Sequence, residues 1–591
     1  MTETHLEEKI SRLTDHVMYL TDKIDIVETR LAYLEKNRGI EPSPDHPAMA
    51  PLYHGQDMPP DELWSSFGKS SFLPRVATVC FILVFALVLR TLADSGLINH
   101  QAGSFIGIGY ASLLIAAGWL LISQKNRLAP VFPVCGALLM YVIVIETHTR
   151  FEPVTSLTAY AILFLTMLTI VRIGLRFQVV TFLGVGLIGA SVSAMIIDFP
   201  RPAFYQLAVF LFATNIIAFM IAEKTRSRWI QITLFILTLL FWFIWMIKLH
   251  FPLSKGLPLP PGVSLSWFIP LTLIASSSIM AYSIYKSFHK GHKLEIFEII
   301  LPTVNIIWSY AACWAVLVPW LGHDRWLGIA GVVGAIVHYG VAGGIFKFSK
   351  EGGPGICSFT FAGSSLLIMA APAATGNILI ALPFWGAVAL GLTLASQACE
   401  VGGIRLTSYL MQILACSLGV AYGVFSPGTS APYASILVAA FLAVISGIQY
   451  FWSRKHPLTC SSGLFTKFDP ADRSAHFLLI VSLINGFFML QLGAYLILAT
   501  QTDNLNNALI GAQSLFINTG AIFLLSLGLM QKHKEILYTA IALALIGAFK
   551  VFGYDLFNAH GIPLVISVFS FGAVAAVGSV VLGRWPQTEN S

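Results

Sequence analysis

The stretch HFLLIVSLINGFFMLQLGAYLILA, residues 476–499, carries no Asp, Glu, Lys or Arg from end to end. A bilayer's hydrocarbon core is about 30 Å thick, so a helix of about 20 mostly apolar residues crosses it, and this stretch is long enough. Reading outward with Pro, Gly and charge as punctuation, eighteen such windows follow one another: 74–93, 103–123, 129–147, 154–172, 178–198, 203–222, 228–248, 266–286, 296–320, 326–346, 354–372, 376–397, 403–424, 431–452, 476–499, 508–530, 535–553 and 563–583. The first, the eleventh and the seventeenth are the weakest, being short or interrupted by charge. The expected fold is all-α: a polytopic transmembrane bundle over 74–585, with 586–591 as a short tail.

Composition agrees. The 591 residues are 56% hydrophobic and 11% charged, with a mean hydropathy of +0.76. Soluble proteins carry about 25% charge, so a soluble multi-domain enzyme and a disordered chain are both excluded. The net charge of +6 is spread through short loops rather than gathered on one face, which speaks against nucleic acid. The seven cysteines form no CxxC pair and read as small buried hydrophobes rather than metal ligands or disulfides. No cofactor is expected: GxxxxGK[ST], HExxH, GxSxG and GxGxxG in strand–turn–helix context are all missing.

Residues 1–38 hold eight acids and six bases and no apolar signal core. Leu6, Ile10, Leu13, Val17, Leu20, Ile24, Val27, Leu31 and Leu34 alternate at spacings of four and three, which is a heptad seam. Ile10, Val17 and Ile24 at a with Leu13 and Leu20 at d favour a parallel dimer. Homo-oligomerisation through residues 6–34 is therefore expected, with a coil to another protein as the alternative. Residues 39–73, with prolines at 42, 44, 47, 51, 59 and 60, read as a stiff linker to the membrane.

Orientation follows from the bases. With the N-terminus cytoplasmic, the approach to the first window, the even-numbered loops and the C-terminus hold 22 Lys and Arg, and the odd-numbered loops five. Both termini are expected on the cytoplasmic side, with the basic loops acting as topology signals rather than headgroup sites.

An ionisable group at the bilayer centre costs at least about 2.5–3.5 kcal/mol on insertion scales, so such groups are candidates for function. Arg90 and Asp94, four apart, end the first window; Glu146 and His148 end the third; Asp198 ends the fifth; Lys550 and Asp555 flank the seventeenth; His338 stands mid-way in the tenth. Most lie on the outer half, where they would line a vestibule for an ion, sugar or headgroup. The competing expectation is that they pair internally or snorkel to water. The i, i+2 spacing of Glu146 and His148 speaks against an acid–base pair. Gly331, Gly334, Gly340 and Gly344 should let the tenth window pack closely. The small-residue windows from the ninth to the fourteenth, with Pro302, Pro319 and Pro383, are expected to supply broken helices around a midplane site.

Two stretches carry a resemblance: LPRVATVCFILVFALVLRTLADSGLIN (73–99) and AFKVFGYDLFNAHGIPLVISVFSFGAVAAVGSVVLGRW (548–585). Together with the coil, linker and many short windows they resemble the opening and ending of the bacterial domain-of-unknown-function family 2339. Lys550 and Asp555 match that family's closing Lys and Asp. It has an Arg before the last helix where this chain reads His560-Gly561-Ile562-Pro563. The resemblance implies a bacterial cytoplasmic membrane and gives weight to the Arg90–Asp94 and Lys550–Asp555 regions, without implying an activity. Three functions are then open. The favoured one is transport or flipping of a cell-envelope component; the others are a membrane scaffold and a transferase acting on a lipid-linked substrate.

Overall fold

The computed structural model of the protein describes residues 99–124, 128–151, 155–199, 202–225, 228–259, 265–288, 294–348, 353–457, 472–502 and 504–584, with isolated positions between 78 and 91 and in the loops. The heptad seam, the Pro-rich linker, the tail, and Arg90 and Asp94 lie outside the described residues, as does most of the first window.

Among the described residues there is no strand, and seventeen helices are long and apolar enough to cross a membrane. They are α1 (His100–Ser123), α2 (Val131–Glu146), α3 (Ser156–Phe177), α4 (Val180–Asp198), α5 (Phe204–Thr225), α6 (Arg228–Ser254), α7 (Phe268–Phe288), α8 (Ile296–Leu321), α9 (Arg325–Phe348), α10 (Gly353–Thr375), α11 (Ile378–Cys399), α12 (Gly402–Ala421), α13 (Pro432–Lys455), α14 (His476–Leu498), α15 (Leu505–Gln531), α16 (Lys534–Asn558) and α17 (Ile562–Arg584). Each answers to one window from the second to the eighteenth, including the weak eleventh and seventeenth. Large apolar side chains such as Leu113, Met530, Phe549 and Phe569 point outward. In water so much exposed apolar surface would drive aggregation; with seventeen helices of spanning length and composition it is consistent with a polytopic membrane protein.

The expectation of broken helices around the prolines is not met. Pro302 and Pro319 stand inside α8, Pro372 inside α10 and Pro383 inside α11, and α6 runs past its expected end through Pro252. A helical proline lacks the N–H that would bond the carbonyl four residues back, and in a bundle a neighbouring helix can supply the missing donor. Pro319 orphans the Ala315 carbonyl, and His250 from α6 stands 2.6 Å from it through Nδ1. The carbonyl can only accept, so Nδ1 carries the proton. His250→Ala is therefore expected to cost about 1–3 kcal/mol, the penalty for a buried acceptor left alone. Adding Pro319→Ala, which restores the backbone N–H, should recover most of it. Thermal unfolding of the single and double variants in detergent decides; a double variant no more stable than His250→Ala would count against this role.

Where regular winding does change among the described residues is at three π-helical turns, Thr147–Phe151, Val185–Gly189 and Val551–Asp555. Each admits an extra residue into a turn and re-aims the side chains after it. At the second, the Tyr141 hydroxyl of α2 donates to the Gly186 carbonyl at 3.0 Å.

The core has three main parts. The first joins α1–α7 with part of α8 and centres on Phe204, Phe241, Trp242, Trp245 and Phe268. The second is built from α8–α14, and the third from α12–α17. The α9–α10 hairpin is drawn together by glycine. A Cβ on Gly328 would lie 2.1 Å from the Ala374 backbone nitrogen, and one on Gly331 2.5 Å from the Ala370 Cβ. Gly340 has open space and Gly344 only a distant ring, so two of the four expected packing glycines pack here and the closest approach belongs to Gly328. Most helices are joined by short connections, the longest being that between α13 and α14 over 456–475. The end of the bundle where α1 passes to α2 is called the basic end below, for Lys125, Arg127 and the bases of the loops beside it.

Candidate functional site

The sequence-derived candidates separate into three places. Lys550 and Asp555 meet. Five residues apart on an α-helix they would point about 140° from each other, but the π-helical turn at 551–555 brings them onto one side. Lys550 Nζ donates to Asp555 Oδ1 at 2.7 Å, to Ser514 Oγ at 2.7 Å and to the Ile510 carbonyl at 3.0 Å. Ser514 also donates to Asp555 Oδ2, and Asp555 is wholly buried. Nearby, Asn507 exchanges hydrogen bonds with the His560 backbone, and Asn518 donates to Ser570. These bonds tie α15, α16 and α17 into a closed unit.

Glu146 and His148 stand at the far end of α2, half-buried and buried, where the π-helical turn begins; Thr147 between them donates to Ser104 of α1 at 3.0 Å. His338 is buried in α9, with Nδ1 2.7 Å from the Gly334 carbonyl and its ring beside Phe359. Asp198, at the end of α4, accepts from the Ala203 N–H and from Trp245 Nε1, with Lys248 at 3.6 Å. α2 packs chiefly on α1, α3 and α4; α9 on α10, with α7 and α8; α16 on α15 and α17. Lys550 with Asp555, His338, and the group on α2 and α4 therefore stand on helices with separate neighbours, while α2 and α4, which carry Glu146, His148 and Asp198, pack on each other.

Buried charge is not confined to the outer half either. At the basic end Arg228 bridges Glu295 and Glu298, both at 3.0 Å, and the buried Lys286 meets Glu223 at 2.9 Å. The most enclosed cation among the described residues is Arg405, which is fully buried. By position it belongs with the basic loops, yet the first turn of α12 turns it inward. Its guanidinium donates to Ser396 Oγ (3.2 Å), Asp472 Oδ2 (3.0 Å), Gln397 Oε1 (3.0 Å) and the His456 carbonyl (3.0 Å). The Tyr409 hydroxyl donates to the same carboxylate at 3.1 Å. Burial pushes the Asp472 carboxyl above the usual carboxylate range, and Arg405 and Tyr409 pull against that shift. A guanidinium does not give up its proton, so it is the permanent counter-charge in this knot.

From the knot a line of buried polar groups runs inward. Arg405, Ser408, Gln412 and Cys416 are one stripe of α12, at spacings of three and four. Gln449 of α13 donates to Thr393 of α11 at 2.7 Å and to Ser408 at 3.2 Å, and Thr393 and Ser408 are 2.9 Å apart. One turn deeper, Gln412 is fully buried, and neither of its amide atoms has a hydrogen-bond partner among the described residues. Gly386 of α11 makes room for it: a Cβ there would lie 2.9 Å from Leu442 and 3.6 Å from Gln412 Oε1. Asn485 of α14 lies beside Cys416. An amide enclosed without a partner costs several kcal/mol on transfer scales; Gln231 of α6, also fully buried, is the other described glutamine whose two amide atoms both lack a hydrogen-bond partner.

Comparison with protein-family models, with curated proteins and with solved structures finds no match to this chain. The resemblance to family 2339 thus rests on the two quoted stretches. What remains to read is chemistry. Among the described residues no three or more His, Cys, Asp or Glu are grouped to hold a metal ion, and the five described cysteines are free thiols. The α11–α14 track presents a guanidinium, hydroxyls and amides: groups that bind and pass a polar or anionic species.

Proposed function

We propose that this chain is a secondary transporter of a small polar or anionic solute, built on the track from Arg405 and Asp472 to Gln412. It lies in a bacterial cytoplasmic membrane with both termini inside and self-associates through the Leu6–Leu34 seam. The carrying observation is Gln412, a wholly buried amide unpartnered among the described residues and continuous with a chain of hydrogen-bonded groups reaching the basic end. A helix-joining amide bonds across its interface; an amide that receives a passing solute has its bonds to give. Gln412→Leu separates the two roles. Removing an unsatisfied buried amide should leave stability unchanged or raise it by about 1 kcal/mol, while solute flux falls at least about tenfold, the equivalent of about 1.4 kcal/mol. The measurement is uptake of a panel of sugars, amino acids, inorganic ions and protons into liposomes holding the full chain, beside its melting temperature. Wild-type protein that moves nothing, or a Gln412→Leu variant that melts lower and transports normally, would overturn the proposal.

The heptad seam supports a second reading, a membrane scaffold. Deleting residues 1–60 distinguishes them: a scaffold loses its cellular role, whereas the transporter keeps its flux in liposomes.

A further inference from the structure

Independently of the transport reading, we infer that the groove between α1, α2 and α3 holds an acyl chain of an anionic phospholipid, with its phosphate on Arg172 and Arg176. The groove has a volume of about 580 Å³ and is walled by Ile108, Ala116, Met140, Ile162 and Ile173 among others. From Ile108 to Leu120 it follows α1 for twelve residues, about 18 Å at 1.5 Å per residue. Half of a hydrocarbon core is about 15 Å, so the groove matches one leaflet in depth.

Its walls are chemically plain. The three hydroxyls that line it, Ser112, Thr166 and Thr169, each donate at 2.8 Å to the carbonyl four residues back in their own helix. They offer a ligand methyl and methylene surface and no donor, which suits an alkyl chain and not a polar solute.

The mouth is different. α1 and α3 run parallel and both finish at the basic end. There Trp119 closes the groove, with Phe177 edge-on to it and the Arg176 guanidinium 5.9 Å from the ring centre, a placement that steadies the cation without neutralising it. Arg172 and Arg176 are exposed, and neither forms an ion pair among the described residues. The adjoining segments SQKNRLAP (123–130) and RIGLRFQVV (172–180) add Lys125 and Arg127 and no acid. The cleft between α5, α6 and α7 makes the contrast. It too is mostly apolar, about 270 Å³, but the base at its mouth, Lys286, is paired with Glu223 at 2.9 Å. The α1–α3 groove, unlike that cleft, joins a chain-length apolar slot to positive charge that has no ion-pair partner among the described residues.

The test adds phosphatidylglycerol or phosphatidylethanolamine of matched chains to delipidated full-length protein and counts bound lipid by native mass spectrometry. The wild type should retain phosphatidylglycerol at about tenfold lower lipid concentration than phosphatidylethanolamine. Arg172→Gln with Arg176→Gln should erase that preference, and Ala116→Trp, at an exposed position where no fold is disturbed, should reduce retention of both lipids. Equal retention by the wild type, a preference that survives the double Gln variant, or retention unaffected by Ala116→Trp would each overturn the assignment. So would a change of oligomeric mass with Ala116→Trp, which would make a second copy of the chain the occupant.

Discussion

Gly328→Ala should destabilise the protein by about 3 kcal/mol or more, while Gly340→Ala, three turns along the same helix, should not destabilise it at all. Two effects of opposite sign compete in both variants. Alanine is the better helix former by about 1 kcal/mol, and that gain is available wherever the new methyl finds space. At Gly340 it does, since nothing lies within 4 Å of a Cβ there. At Gly328 the methyl would meet the Ala374 nitrogen at 2.1 Å and the Ala373 carbonyl carbon at 2.5 Å, and a backbone has no rotamer with which to step aside. Overpacking a core against side chains costs about 1–3 kcal/mol, so against backbone the upper end is the least to expect. The register makes relief difficult. Gly328 faces Ala374, Gly331 faces Ala370, Gly334 faces Leu366 and His338 faces Gly363, so α10 can move away at one position only by opening all four. Melting temperatures of the two variants in the same detergent decide the matter. Equal values would mean that α9 and α10 are not held at this distance.

The same helix shows what sequence could and could not reveal. Apolar length and charge punctuation located every described helix, because the bilayer imposes one length on all of them whatever they pack against. Small residues marked α9 as a close-packing helix, but which glycines touch depends on its rotation about its own axis, and Gly340 and Gly344 turned out to face away from α10. Prolines misled for a related reason: whether one breaks a membrane helix depends on a donor from a neighbour, and His250, sixty-nine residues before Pro319, is not visible as such in the chain. Lys550 and Asp555 were legible as a pair only through spacing and resemblance, since five residues is the wrong interval for an α-helix and the right one across a π-helical turn. Arg405 was hidden in plain view. Counted as one more base on the basic side, it satisfies the orientation rule perfectly well, and only its stripe-mates Ser408, Gln412 and Cys416 hint that its helix turns a polar face inward.

That buried arginine leads to the second large effect. Asp472→Ala should destabilise the bundle by about 3–5 kcal/mol, the range for removing one partner of a buried ion pair, because Arg405 would keep its charge with only neutral acceptors around it. Ser396, Gln397 and the His456 carbonyl would still accept from the guanidinium, so the loss belongs to the missing counter-charge and to Tyr409, whose hydroxyl would lose its acceptor. Replacing the whole pair is a different matter. In Arg405→Met with Asp472→Leu both desolvation penalties vanish, and apolar substitution of a buried pair is often neutral or stabilising by 1–4 kcal/mol in other proteins, on the order of the loss itself. The double variant should therefore melt near the wild type although it lacks every one of these bonds. If the knot exists only to hold α11, α12 and the segment before α14 together, that variant should also transport as well as the wild type. If the guanidinium is where a polar or anionic solute enters the track, the variant will be folded, stable and at least about tenfold slower, a difference of about 1.4 kcal/mol in barrier with no counterpart in stability. The comparison of stability with flux in this one double variant thus separates a structural ion pair from the mouth of a pathway.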